Sequence, residues 1–84
     1  MRVLYAHPIV EPETKATRCL GTIDLELSPD VRLYGLRLLH MPDGKKILFA
    51  PHAGHRRTAT FSPELGKTLT AMAIEALGDA ANDA

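Results

Sequence analysis

Between Thr17 and Leu27 the chain alternates. Thr17, Cys19, Gly21, Ile23, Leu25 and Leu27 share one parity, and Arg18, Thr22, Asp24 and Glu26 share the other, with Leu20 the exception. A period of two sustained over that length predicts a half-buried strand with one face in water. Upstream, residues 2–6 (R-V-L-Y-A) read as a short strand ended by His7-Pro8, and the polar stretch 11–15 (E-P-E-T-K), with prolines at 8 and 12, reads as a loop. Downstream, Ser28-Pro29-Asp30 is a tight turn, because proline presets φ and aspartate suits turn positions.

Residues 31–51 form the longest apolar stretch and read as a β-hairpin around Met41-Pro42-Asp43-Gly44. Pro42 fits the first corner of the turn and Gly44 the position that needs positive φ. The first arm changes phase midway: Val31 and Leu33 have one parity, Leu36 and Leu38 the other, and Gly35 lies between. A β-bulge at Gly35 would keep all four on the core face and gather Arg32, Tyr34 and Arg37 on the opposite one. The second arm, 46–50, places Ile47 and Phe49 on one face and is ended by Pro51. A basic loop, His52 to Arg57, bends at Gly54, and the β-prone Thr58–Phe61 suggests a short fifth strand.

A helix begins at Ser62-Pro63-Glu64, with serine as N-cap, proline at the first helical position and a carboxylate at the positive end of the dipole. Leu65, Leu69, Met72, Ala73, Ala76 and Leu77 form its apolar stripe. Gly78 caps its end, 79–84 is a frayed tail, and Ile74 points away from the stripe as a candidate contact. The predicted fold is a single α+β domain over residues 1–84, its core at about 17–78: a meander-like antiparallel sheet of four to five strands with one C-terminal helix packed on one face.

Length and composition narrow the setting. At 84 residues the chain is one small domain, which gains stability from a second copy of itself, so a homodimer is expected. The lone cysteine, Cys19, excludes an internal disulfide and fits a reducing cytoplasm. No apolar run is long enough to span a membrane, and the N-terminus carries no export signal. Net charge is zero, yet residues 31–60 carry six basic residues against Asp43 alone, a net +5, and the remainder carries a net −5. Such asymmetry suits an anionic partner on one side.

The residues offer little for catalysis. His52-x-x-His55 is the one close pair of metal-ligand type, and it sits beside two arginines that repel a cation. Cys19 lies mid-strand with no thiolate-stabilising neighbour in sequence, and no phosphate-cradling glycine loop precedes the helix. The chain therefore reads as neither an enzyme nor a cofactor or metal protein. What remains is a basic surface: Arg56, Arg57, Lys45 and Lys46 at loop ends, and Arg32, Arg37 and Tyr34 on the open side of the sheet. Clustered cations suit phosphates and an interleaved aromatic suits a base, which predicts weak, salt-sensitive and sequence-tolerant binding of DNA or RNA. The alternative is a protein-interaction or assembly module in which a sheet edge and the Ile74 face hold a partner.

Four segments carry a resemblance: A-T-R-C-L-G-T-I-D-L-E-L, V-R-L-Y-G-L-R-L-L, G-K-K-I-L-F-A-P-H and T-A-T-F-S-P-E-L. In order and spacing they resemble the bacterial stage V sporulation protein G family over roughly residues 16–77, with Arg37, Pro51 and Pro63 on that family's arginine and prolines. Ala50 stands where the family has methionine, and the loop 52–57 is shorter than the family's lysine-rich one. The resemblance implies a small dimeric sheet-plus-helix regulatory protein that binds nucleic acid, with Arg56 and Arg57 at the position of the family's loop cations.

Overall fold

The alternating stretch forms the centre of a sheet. In the structure, a computed structural model describing residues 1–10 and 16–78, β1 (Arg2–Pro8), β2 (Arg18–Ser28), β3 (Val31–His40) and β4 (Lys46–Phe49) pair antiparallel in chain order. The loop expected at 11–15 and the tail expected at 79–84 lie outside the described residues. β1 runs two residues further than the pattern suggests, through His7 and Pro8, because both pair with β2 opposite Thr22 and Gly21.

Bulges adjust the register so that the apolar residues stay on one side. The ladder shifts between Ile23 and Leu25, where the two residues Tyr34 and Gly35 of β3 stand against the single Asp24 of β2. Gly35 takes φ 69°, a conformation that favours glycine, and its N–H donates to Asp24 Oδ1 at 2.9 Å. The bulge expected at Gly35 is thus present. It buries Leu36 and Leu38 with Leu33 packed beside them, whereas Val31, at the strand end, stays exposed. A second shift, between Cys19 and Gly21, accounts for Leu20: the extra residue turns it into the core.

The hairpin closes as its sequence predicts. Gly44 N–H donates to Met41 O (3.0 Å) and Met41 N–H to Lys45 O (2.8 Å), with Gly44 at φ 90°. β4 then inserts Leu48 into the core, while Ile47 and Phe49 share the other face and Phe49 is exposed. The fifth strand expected at 58–61 does not form. Instead β5 (His52–Ala53) and β6 (Arg56–Arg57) make a separate two-stranded ribbon turning at Gly54, and Thr58 Oγ1 donates to Pro51 O (2.6 Å) at its base. The basic loop therefore satisfies its own backbone pairing, and Thr58–Phe61 becomes the irregular lead into the helix.

Helix α1 (Pro63–Leu77) starts where its capping residues place it: Ser62 Oγ accepts from Leu65 N–H at 3.2 Å, and Gly78 N–H closes the last turn onto Ile74 O at 3.0 Å. Leu69, Ala73 and Leu77 are buried against Ile23, Leu25, Leu36, Leu38 and Leu48. Burial of each leucine contributes about 1.5–3 kcal/mol, so these few contacts dominate the stability of so small a domain. Two helix assignments change. Ala76 is exposed rather than part of the stripe, and Ile74 is half-buried at the margin of the core rather than facing water.

The helix reaches the sheet because Gly21 has no side chain. A Cβ there would lie 2.6 Å from Leu77 Cδ2 and 2.8 Å from His7 O. Gly66 is the opposite case, since a Cβ at that helical position meets nothing within 4 Å. Gly21→Ala is expected to lower stability by about 1–3 kcal/mol through overpacking. Gly66→Ala should raise it by about 0.5–1 kcal/mol through helix propensity. Urea unfolding of the two variants tests this pair, and similar shifts in both would contradict the packing.

Candidate functional site

The helix covers one face of the sheet, and among the described residues no other element covers the opposite one. Residues opposite one another in an antiparallel ladder share a face, so the register defines what the open side presents. One row is Cys19, Leu39 and Ile47, with Cys19 buried; the next is His7, Thr22, Arg37 and Phe49; then come Tyr5 and Asp24 with Tyr34 in the bulge; the last is Arg2, Glu26 and Arg32. Of four aromatic residues in the chain, Tyr5 (61% exposed), Tyr34 (62%) and Phe49 (40%) stand on this face. The Tyr5 ring stacks on His7, with centroids 6.3 Å apart and planes 16° from parallel.

Both carboxylates on the face are engaged. Glu26 accepts from Arg2 Nε at 2.9 Å and pairs with Arg32 Nη2 at 3.4 Å, while Asp24 accepts the Gly35 N–H. Exposed ion pairs of this kind contribute little to stability. Their effect here is to offset the negative charge on the face. Arg37 makes no ion pair among the described residues and stands exposed between Thr22 and Phe49. Outside the row of Cys19, Leu39 and Ile47, this face is therefore an aromatic surface with cations and little unmasked negative charge.

The seven residues expected to form one basic surface divide between two places. Arg32, Tyr34 and Arg37 lie on the open face as expected. Lys45, Lys46 and Arg57 instead line a groove along the edge of β4, facing α1, and Arg56 is exposed beside them on the β5–β6 ribbon. The division follows from the hairpin geometry: Lys45 and Lys46 lie at the start of β4, and the ribbon leaves the sheet beyond Pro51.

Tyr5, His7 and Phe49 also belong to the open face, and the sequence reading did not include them. Phe49 was within reach, because the turn at 41–44 places Lys45 opposite Met41 and, four residues on, Phe49 opposite Arg37. Tyr5 was not, because the β1–β2 register shifts between Val3 and Tyr5 and no local signal marks that irregularity.

Cys19 is buried, and its Sγ donates to Gly21 O at 3.5 Å, a structural setting. Among the described residues no three His, Cys, Asp or Glu side chains converge as a metal set, and no helix is long and apolar enough to cross a membrane. No family model matches the chain, and neither a curated protein nor a solved structure does.

The open face depends on the bulge, which yields a direct test. Gly35→Val places a β-branched residue at φ 69° with no steric neighbour within 4 Å, so its cost is conformational alone. Gly35→Val is expected to lose about 1–2 kcal/mol and Gly35→Asn clearly less, since asparagine tolerates this region. Equal losses in denaturant titrations would contradict a left-handed residue at this position.

Proposed function

We propose that this protein is a non-enzymatic, cytoplasmic regulatory protein that binds single-stranded DNA or RNA on the open face of its sheet. The observation that carries the reading is the row structure of that face: Tyr5, Tyr34 and Phe49 project to solvent around Arg37, which makes no ion pair among the described residues, while Glu26 is neutralised by two arginines. Exposed aromatic rings offer stacking surfaces to bases in any sequence, and neighbouring cations offer partners to the phosphates between them. A duplex hides its base faces and gains less from such a surface. Arg56, Arg57, Lys45 and Lys46 add positive potential at the adjoining edge and speed encounter with a polyanion. The resemblance of the hairpin and helix entry to the sporulation protein family supports the same assignment.

The proposal includes a homodimer. The domain is small, and β1 is an edge strand of seven residues with Leu4 exposed on it. Sedimentation velocity should show a dimer that persists at high salt, and a monomer at all concentrations would remove this element of the proposal.

The test of binding is fluorescence anisotropy with labelled single- and double-stranded oligonucleotides of about ten nucleotides. Tyr34→Ala is expected to weaken single-strand binding about tenfold. Arg37→Ala should reduce the slope of log affinity against log salt by about 0.7, the loss of one phosphate contact. The Arg56→Ala/Arg57→Ala double variant should lower affinity while leaving the loss from Tyr34→Ala unchanged. Absence of binding at low salt, or binding indifferent to Tyr34 and Arg37, would overturn the assignment.

A further inference from the structure

A groove of about 840 Å³ runs between β4 and α1, away from the open face's central rows. Its helical wall is the stripe Pro63, Gly66, Lys67, Thr70, Ala71 and Ile74, spaced by three and four residues, so α1 presents a second face besides the one in the core. Phe49, Ala50, Ala59 and Phe61 supply the apolar surface opposite. Around it stand Lys45, Lys46, Arg57 and Lys67, with His52, and among the described residues no aspartate or glutamate lines the groove. The volume falls within the range of pockets that hold a small organic ligand.

Two details restrict the occupant. Leu48 N–H donates to Thr70 Oγ1 at 3.1 Å, so the amide at the middle of the β4 edge is already satisfied by the helix. An added β-strand would find that donor taken, which disfavours strand addition here. A symmetric second copy would bring its own lysines and arginine against the same cations, with no carboxylate among the described lining residues to offset them. Gly66 bears on the site too. Alanine would be the better helix former, and a Cβ would meet nothing within 4 Å among the described residues. The missing side chain therefore widens the groove without serving the protein's own packing.

We infer that the groove binds an amphipathic anion, a linear apolar chain ending in a carboxylate, with the chain against Phe49, Phe61 and Ile74 and the head group among the lysines and Arg57. This assignment shares Phe49 with the nucleic-acid reading, since Phe49 stands both in the Arg37 row and in the groove wall, but its other apolar contacts, Phe61 and Ile74, belong to the groove and not to the rows of the open face. The cationic rim selects for charge sign, and the apolar walls select for chain.

The test titrates the folded protein with decanoate and decyltrimethylammonium below their micellar concentrations and with decanol below its solubility limit, followed by amide chemical shifts. Decanoate is expected to bind at least tenfold more tightly than decanol, and the ammonium more weakly than either. Shifts should concentrate in Ile47–Ala50, Ala59–Phe61 and Gly66–Ile74, and the preference for carboxylate should shrink with added salt. Gly66→Leu, which fills the groove at a position open to a side chain, should weaken decanoate at least tenfold and leave single-strand binding unchanged. Lys46→Gln/Lys67→Gln should lower affinity for decanoate and not for decanol. Equal affinity for the three amphiphiles, or decanoate binding unaffected by Gly66→Leu, would overturn the inference. So would tighter binding of an octaglutamate peptide than of decanoate, or groove shifts produced by self-association without ligand.

Discussion

The hydrogen bond from Gly35 N–H to Asp24 Oδ1 holds the one irregularity on which both faces of this sheet depend. β3 needs an extra residue opposite Asp24, because its apolar positions change parity between Leu33 and Leu36. Without the bulge, Leu36 and Leu38 would point to water, or Leu33 would, and the helix would lose part of the surface it covers. Glycine supplies the backbone conformation, and the carboxylate of the neighbouring strand accepts the N–H that the ladder leaves unpaired. Nucleating such a device costs little, since both partners are already brought together by the β2–β3 pairing.

With the core face fixed, the open face follows. Tyr34 in the bulge and Arg37 beyond it come to lie beside Tyr5, His7 and Phe49 only because all four strands of the sheet are held in register. The acidic residues of β2 would otherwise give this surface a mixed character. Asp24 is occupied in the bulge and Glu26 in two ion pairs, so one set of contacts both shapes the sheet and alters the charge that it shows. On the helix side, the close approach of Leu77 to Gly21 brings the end of α1 onto the sheet, and Thr70 holds its middle against the β4 edge. The groove is the space left between that edge and the helix's second stripe. Two surfaces of different chemistry thus arise on one small domain, one aromatic and broad, the other an apolar groove rimmed by cations.

Local chemistry was sufficient for much of this architecture. The period of two in β2, the turn residues at 41–44, the cap at Ser62 and the parity change across Gly35 each act within a few residues, so the order of strands, the bulge and the helix bounds were legible in the chain itself. So was the placement of Arg32, Tyr34 and Arg37 on one face, which follows from the bulge alone. Where the outcome depended on pairing between distant segments, the sequence was silent or misleading. Thr58–Phe61 has strand propensity, yet it pairs with no strand, because the β5–β6 ribbon pairs with itself and Thr70 occupies the amide of Leu48 on the β4 edge. Lys45, Lys46 and Arg57 appeared to extend a single basic surface. Only the packing of α1 along β4 gathers them with Lys67 around a groove instead, since a residue's distance along the chain does not say which edge a helix will lie against. Tyr5 joined the aromatic face through a register shift within β1 that leaves no mark in local composition. The sequence by itself determined the elements and their apolar faces, which arise from short-range sterics and periodicity. Tertiary structure decided which surfaces those faces leave uncovered, because that depends on contacts between residues far apart in the chain.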